Sequence, residues 1–298
     1  TLFAAAFMKR HAGFGPNGPG AIYQITATGS TLFYDIGAQA GSDPHAAPGQ
    51  SCATNPGPNN NTNFACWFHD SNAFDLVGKV GFGDLDIAED FSTLYTINLA
   101  TNQLLAIPVA NPTAMTAFAV PTPGSCPVTD VRPFAIAVKD GKVYVGMVCT
   151  AESTQNRAQL RAYVYAFVNG AFASTPALEI DLAGYRTSGN IQWQYWLNRT
   201  TFDPNDVNKS SGKWAQPWLT DIAFDGNDMI LAFRDRDADQ FGTTAGGPTP
   251  TDSNLYSGIA RGDILRACAN GSGGWQLENQ GSCGGVTTAG ATGHPEGP

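Results

Sequence analysis

The chain has 298 residues, of which 42% are hydrophobic and only 14% are charged, so it can form a sizeable core but carries few ionic groups. Its net charge of −9 repels nucleic acid, because phosphates are bound by clustered Lys and Arg and the sequence has no basic run. No apolar run approaches the roughly 20 residues that a membrane helix needs. Composition therefore argues against a nucleic-acid partner and against a membrane span.

Four segments share one pattern, in which an apolar, aromatic-rich strand is followed by a polar turn and a second strand. They cover residues 21–36, 93–107, 163–180 and, more weakly, 262–277. Repeated hairpins of this kind are typical of blade-built all-β folds. The sequence therefore predicts an all-β fold, a β-propeller with long loop insertions and disulfides. The propeller ring is either closed and regular, or it is incomplete or built from irregular blades.

A second element precedes three apolar strands, at residues 83–90, 132–140 and 218–225. Each carries Ile-Ala, then an acidic turn, then the apolar strand. The spacing from Ile87 to Ile136 fits one blade of roughly 40–50 residues. The longer spacing to Ile222 fits either one blade with a large insertion or two blades.

The irregular segments define the predicted domain organisation. We predict one propeller-like domain over residues 1–283, with insertions at about 37–78, 187–217 and 241–257. A linker-like tail follows over residues 284–298, and we expect more chain beyond it.

Six cysteines form three pairs that are close in sequence, although six cysteines permit 15 connectivities. Pairing between neighbours is favoured because each pair brackets a loop or one hairpin. Disulfides form in oxidising compartments, so the sequence predicts an extracellular or cell-surface location. The predicted pairs are Cys52 with Cys66, Cys126 with Cys149, and Cys268 with Cys283.

Several segments resemble large secreted bacterial surface proteins, an uncharacterised family with a propeller-like region that is often linked to SdrD B-like, Ig-type domains. The segments are residues 3–23, 78–87, 217–225, 233–240 and 256–265. The resemblance spans nearly the whole chain. It implies a propeller-like module of an envelope or extracellular protein, and it assigns no catalytic residues.

One candidate metal site follows a predicted strand, where Asp235, Asp237 and Asp239 alternate along the chain. Calcium prefers several hard oxygens on a flexible loop, which makes Ca²⁺ the one cofactor that the sequence points to. The central Gly and distal Glu of an EF-hand are missing. The alternative is a structural network in which Arg234 and Arg236 neutralise the carboxylates.

A second acidic group consists of Asp84, Asp86, Glu89 and Asp90. Asp84 and Asp86 share one face of an extended strand, and paired carboxylates can perform acid–base or glycosidic chemistry. The alternative is that these acids cap a hairpin turn.

No catalytic motif stands out elsewhere. The four histidines do not form a zinc-protease motif, and no serine lies in a Gly-x-Ser-x-Gly elbow. The sequence therefore assigns no catalytic residue and favours a protein that is not an enzyme.

Four tryptophans in or near the second insertion form a candidate binding patch for sugars or proteins, since aromatic residues are favoured at interfaces. The alternative is that they pin the insertion onto the propeller. The four are Trp193, Trp196, Trp214 and Trp218.

These observations favour an extracellular structural or adhesive module without catalysis, which binds protein partners or self-assembles at the cell surface into an assembly or filament. Two alternatives remain open. One is a propeller hydrolase, lactonase-like or active on glycans, with a metal at its central channel. The other is a carbohydrate-binding module that uses the tryptophan-rich insertion.

Overall fold

The computed structural model describes residues 1–46, 70–185, 192–206, 214–249, 252–271, 273–278, 282–283 and 286–287. Its strands, in chain order, are β1 (Leu2–Ala4), β2 (Ala21–Thr26), β3 (Gly29–Asp35), β4 (Phe82–Ile87), β5 (Thr93–Asn98), β6 (Gln103–Pro108), β7 (Thr116–Ala119), β8 (Val131–Lys139), β9 (Lys142–Cys149), β10 (Arg161–Val168), β11 (Ala171–Phe172), β12 (Leu178–Asp181), β13 (Pro217–Asp225), β14 (Asp228–Asp235), β15 (Ala245–Gly246), β16 (Leu255–Tyr256), β17 (Asp263–Ala269), β18 (Trp275–Leu277), β19 (Ser282–Cys283) and β20 (Val286–Thr287). The α-helices are short: α1 (Ser71–Leu76), α2 (Leu182–Tyr185) and α3 (Arg236–Phe241).

Most of these strands form four antiparallel sheets that follow one another along the chain. The first sheet contains β1–β3 and the second contains β4–β7. The third contains β8–β11, with β12 also paired to β10, and the fourth contains β13, β14, β17 and β18. Two short ribbons, β15 with β16 and β19 with β20, lie outside these sheets.

The predicted hairpins are confirmed. Residues 21–36 form β2 and β3, residues 93–107 form β5 and β6, residues 163–180 span β10 to β12, and residues 262–277 form β17 and β18. The three Ile-Ala elements overlap the first strands of the second, third and fourth sheets, namely β4, β8 and β13, each of which begins one residue earlier.

Two hairpin turns show how the sequence directs these strands. The Asp140-Gly141 turn joins β8 to β9, and both residues have positive φ, +51° and +69°. Asn169 and Gly170 do the same between β10 and β11. Turns of this geometry match the right-handed twist of the strands that they connect, so the hairpin forms in one register.

The strands β4, β8 and β13 are the inner strands of their sheets and lie side by side. Each contains a β-bulge, between Phe82 and Leu85, between Pro133 and Ala135, and between Leu219 and Asp221. A bulge bends a strand and increases its twist. The shared bulge indicates that these three strands are equivalent in their sheets, and we call the line along which they lie side by side the inner-strand axis.

The cores lie between consecutive sheets. Ile22 of the first sheet packs with Leu94 and Ile107 of the second. The same kind of face-to-face packing joins the second sheet to the third, and the third to the fourth. Sheets stacked face to face around a shared inner edge are propeller blades, so the prediction of an all-β, propeller-type fold is confirmed.

Two of the predicted disulfides are present. Cys126 pairs with Cys149 and Cys268 pairs with Cys283, while Cys52 and Cys66 lie outside the described residues. The first disulfide ties the segment that leads into β8 to the last residue of β9.

Within the described ranges, no helix has the length and the apolar character that crossing a bilayer would require. The domain boundaries, including the tail at 284–298, stay predictions.

Candidate functional site

Two charged clusters lie along the inner-strand axis, one on the bodies of the strands and one where the strands begin. The strands approach each other closely here: a Cβ atom on Gly83 would lie 2.7 Å from the carbonyl oxygen of Phe134. Glycine in β4 therefore lets the second and third sheets meet at their inner edges.

The first group, the axial carboxylates, consists of Asp84 and Asp86 on β4 and Asp221 on β13. The Oδ2 atom of Asp84 accepts a hydrogen bond of 3.2 Å from the backbone N–H of Ile136, and Oδ2 of Asp86 accepts one of 2.6 Å from that of Val138. As predicted, the two β4 carboxylates share a face, and they use it to join β4 to β8.

Burial raises the pKa of the Asp84 carboxyl to about 7, and the negative charge of Asp221 adds to this shift. The pKa of Asp221 is also raised, first by burial and then by the charge of Asp86. An acid with a pKa near 7 can donate or accept a proton at neutral pH. The axial carboxylates are therefore the titratable groups that are best suited to acid–base chemistry at neutral pH.

The remaining predicted acids of this segment cap turns. Glu89 accepts hydrogen bonds from the backbone N–H groups of Asp140 and Gly141, so it caps the β8–β9 turn of the neighbouring sheet. Asp90 accepts one from Ser92. The capping interpretation therefore describes Glu89 and Asp90, whereas Asp84 and Asp86 brace a strand.

The second group, the axial ion cluster, lies where the inner strands begin. Lys79, just before β4, forms a 2.6 Å ion pair with Glu152, which follows β9, and Arg132 of β8 lies 4.0 Å from the same carboxylate. Burial, reinforced by the charge of Arg236, lowers the pKa of Lys79 to about 8. Burial opposes ionisation of Glu152, but the charges of Lys79 and Arg236 outweigh it and lower the pKa of that carboxyl.

Arg236, the first residue of α3, is fully buried beside this cluster. Its guanidinium donates to the carbonyl oxygens of Val77 and Leu197 at 2.9 and 2.8 Å and to Oε1 of Gln216 at 3.0 Å. It also lies 4.4 Å from the ring centroid of Trp196. One side chain therefore holds together α3, the end of α1 and the second insertion.

Arg10, in the segment between β1 and β2, also binds backbone carbonyl groups. It donates to the carbonyl oxygens of Asp70, Gln240 and Gly247, and burial lowers its pKa to about 10. This side chain therefore ties the start of the chain to the segment before α1 and to the segment around the end of α3.

His45 lies between two acids, with its ring nitrogens 2.9 and 3.1 Å from carboxylate oxygens of Asp43 and Asp70. Burial opposes protonation of His45, but its interactions with these two acids and with the carbonyl oxygen of Arg10, 2.9 Å from Nε2, outweigh it and raise its pKa to about 10. The imidazole is therefore a cation at neutral pH.

The three carboxylates of the predicted calcium site each contact different groups. Asp235 caps α3 and accepts hydrogen bonds from the backbone N–H groups of Gln216 and Asp237, while the buried Asp237 accepts one from Ile259. Asp239 pairs with Arg234 at 2.8 Å. Burial, followed by the charge of Asp235, raises the pKa of Asp237.

These contacts bear on both interpretations of the aspartates, as a calcium site and as an Arg–Asp network. Within the described residues no three His, Cys, Asp or Glu side chains are grouped so as to hold a metal ion. Arg234 pairs with Asp239 as the network alternative expects, whereas Arg236 binds mainly carbonyl groups. Calcium binding stays a prediction.

The tryptophans of the candidate binding patch are mostly internal. Trp193, Trp196 and Trp218 are fully buried, and Trp214 is half-buried against Tyr195. Trp218 packs edge-on against Trp196, with ring centroids 5.9 Å apart. This packing is what the alternative expects, in which the rings pin the insertion to the sheets, and sugar or protein binding by the patch stays a prediction.

Sequence reasoning missed Arg10, Lys79, Arg132 and Glu152. No local pattern identifies them, because their partners are distant in sequence: Lys79 and Glu152 are 73 residues apart. The one signal in the sequence is its low content of charged residues, which makes each Lys, Arg or Glu a candidate for a specific role.

Comparison with known proteins gives relatives from a eukaryote, Dictyostelium discoideum. The chain is 30% identical to Colossin-D over 97% of its length, 24% identical to Colossin-C over 97%, and 27% identical to Colossin-A over its full length. It spans about a quarter of Colossin-D and Colossin-C, 27% and 26%, and 2% of Colossin-A. No family model matches the chain.

The expected resemblance to bacterial surface proteins is therefore wrong, because the curated relatives are eukaryotic. The segments that carried it include β13 and the β14–α3 junction, which are core-packing elements. Similarity in such segments reflects how the sheets pack, so it does not identify the kind of organism that a chain comes from.

Among solved structures, the chain is similar to a catalytically inactive virginiamycin B lyase from Staphylococcus aureus with quinupristin. The alignment covers 74% of this chain and 44% of the lyase chain. The identity is 16% and the TM-score is 0.30. A likeness of this size transfers neither an activity nor a ligand.

Proposed function

We propose that this domain is a structural or adhesive module of an extracellular protein and that it acts without catalysis. The observation that carries the proposal is the use of its buried charges. Arg10, Arg236 and Asp235 bind backbone groups of other segments, so they brace the fold. Buried polar networks whose members are satisfied make a fold rigid, which is the role expected in a structural module.

The disulfides support an extracellular location, because disulfides such as Cys126–Cys149 persist in oxidising compartments. Protein partners at the cell surface are part of this proposal.

A second candidate function rests on the axial carboxylates. A propeller hydrolase, lactonase-like or active on glycans, needs a proton donor or a metal at its centre. The Asp84 carboxyl, with a pKa of about 7, meets the first requirement.

One experiment separates the two functions. The purified domain, with its disulfides intact, is assayed against lactone, ester and glycoside substrates, with calcium and with a chelator. Asp84→Asn removes the titratable axial acid, and Asp90→Asn, at an exposed turn, is the matched control. We expect no turnover above background in any sample, together with resistance of the oxidised domain to extracellular proteases.

Turnover that is lost in Asp84→Asn and kept in Asp90→Asn would overturn the structural proposal in favour of the hydrolase. Binding to a glycan array that disappears on substitution of the partly exposed Trp214 would instead support the carbohydrate-binding alternative.

A further inference from the structure

A cavity of about 820 Å³ lies where the first sheet meets α1 and the second insertion. Gly20, just before β2, and Gly37, just after β3, line it, and a Cβ atom on Gly20 would lie 2.7 Å from backbone atoms of Gly37. Asn72 of α1 and Arg199 of the insertion line it as well. Among the described lining residues there is no axial charge and none of the four tryptophans. The cavity has the size of a small-molecule site, which is roughly 300–1,000 Å³.

Asp43, one of the lining residues, is fixed by the buried His45. Its Oδ1 atom lies 2.9 Å from Nδ1 of His45 and accepts the backbone N–H of the same residue at 3.0 Å. Burial opposes ionisation of Asp43, but these hydrogen bonds outweigh it and lower the pKa of the carboxyl. Among the described residues Oδ2 has no hydrogen-bond partner. Asp43 is therefore an ionised acceptor in a fixed position, with one oxygen to spare.

Arg199 is fixed in a similar way by α1. Its Nε atom lies 3.0 Å from Oδ2 of Asp75, and its Nη1 donates to Oδ1 of Asn72 at 2.9 Å. Its backbone N–H donates to Oδ1 of Asp75 at 2.7 Å. The Nη2 group has no partner in the described part of the chain. The guanidinium is therefore held in place while it keeps a free donor.

The charges in the cavity wall are already balanced. Asp43 lies beside the His45 cation, and Arg199 lies beside Asp75. An ionic ligand would therefore gain little from a further ion pair. A hydroxyl group suits such a wall better, because it can donate to a carboxylate and accept from a guanidinium.

The rest of the lining combines apolar and polar side chains. Pro19, Pro44 and Leu76 contribute apolar surface, while Asn17 and Asn72 carry amides that can donate and accept hydrogen bonds. Saccharides have the matching chemistry, since C–H groups cover the faces of their rings and hydroxyl groups line the edges. A few fixed polar groups in a partly apolar cavity are what orient such a ligand.

We propose that this cavity binds a neutral saccharide, whose hydroxyl groups bond to Asp43 and Arg199 while its C–H faces pack on Pro19, Pro44 and Leu76. This site is separate from the tryptophan patch. The inference rests on the proposed adhesive function and names what the domain adheres to, which is a glycan.

The test applies the oxidised domain to an array of neutral and charged glycans, and calorimetric titration with the best-bound free sugar gives the dissociation constant. Arg199→Gln removes the guanidinium from a side chain that is 49% exposed, so the fold should be kept. Arg234→Gln is the matched control, because Arg234 is 45% exposed, also pairs with an aspartate and does not line the cavity. Ser42→Leu, at an exposed lining residue, narrows the cavity without changing its charge. Circular dichroism confirms that each variant is folded.

We expect the wild type and Arg234→Gln to bind the same neutral glycans with equal dissociation constants. Arg199→Gln should weaken binding at least about tenfold, because a hydrogen bond from a charged donor is lost. Ser42→Leu should weaken it as well, since the larger side chain occupies space that the sugar needs. Added salt should leave the dissociation constant unchanged, because a neutral ligand has no charge to be screened.

A wild type that binds no glycan would overturn the inference, as would binding that survives either substitution. Binding of charged sugars alone, weakened by salt, would show an ionic ligand and would also overturn it. Binding that Trp214→Ala abolishes and Arg199→Gln retains would place the sugar on the tryptophan patch instead. None of these results involves turnover or protease resistance, so the proposed non-catalytic function would stand or fall separately.

Discussion

The axial ion cluster and the axial carboxylates accommodate buried titratable groups in different ways, although both lie along β4, β8 and β13. The ion cluster combines cations with Glu152, so opposite charges face one another. Asp84 and Asp86 instead accept hydrogen bonds from backbone N–H groups of β8, and the pKa of Asp84 is raised. One cluster is therefore sensitive to the loss of a partner and the other to pH.

The largest expected effect comes from Arg236→Met, which removes the guanidinium that binds Val77, Leu197 and Gln216. Buried carbonyl groups lose their donor, and we expect a loss of about 3–5 kcal/mol in the free energy of unfolding. Urea unfolding measures it. Arg234→Met is the control: its side chain is 45% exposed where it pairs with Asp239, so the loss should stay below about 1 kcal/mol.

Lys79→Met should destabilise the domain by about 3 kcal/mol, because Glu152 is then left buried without its closest cation. Glu152→Gln in the same chain should restore part of the loss, since it removes the uncompensated charge. A double-mutant cycle in urea measures this coupling. Additive effects of the two substitutions would show that the ion pair does not act as a unit.

The axial carboxylates should respond to pH instead. The folded pKa of Asp84 is raised to about 7, so its stabilising contribution is complete below the unfolded pKa of about 4 and is lost as pH rises through 7. Asp84→Asn should therefore be more stable than the wild type at pH 8, by about 2 kcal/mol, and lose this advantage at pH 4. Urea unfolding at the two pH values measures the difference. Equal pH profiles for both proteins would contradict the raised pKa.

His45 should also make the stability of the domain depend on pH, because its folded pKa is raised to about 10. Its contribution is complete below the unfolded pKa of about 6.5 and is lost as pH rises from there through 10. His45→Gln should therefore have a flatter stability profile than the wild type between pH 6.5 and 10. Thermal unfolding at matched pH values checks this difference.

The sheets could be predicted from the sequence because their signals are local. Alternating apolar residues and turns such as Asp140-Gly141 act within a dozen or so residues, so the four hairpins and the inner strands were predictable. The β-bulges were not, because a bulge is seen only in the register of two paired strands.

The site was less predictable because its geometry is non-local. The sequence placed Asp84 and Asp86 on one face, but their partners on β8 are 52 residues away. The tryptophans were visible as a group, yet a sequence does not distinguish an aromatic cluster that is exposed from one that is buried. Arg236 was interpreted as a partner of nearby acids, whereas its carbonyl partners come from the distant α1 region and the second insertion.

Arg236 binds groups that are made long before it, and this affects how the chain folds during synthesis. Val77 and Phe74 precede it by 159 and 162 residues. At roughly 5–20 residues per second, the ribosome needs on the order of ten to thirty seconds to cover that distance. Throughout that interval the first helix has no guanidinium to bind its carbonyl groups. The early sheets can form as hairpins while translation proceeds, but the region around the first helix must wait for a side chain that is made much later.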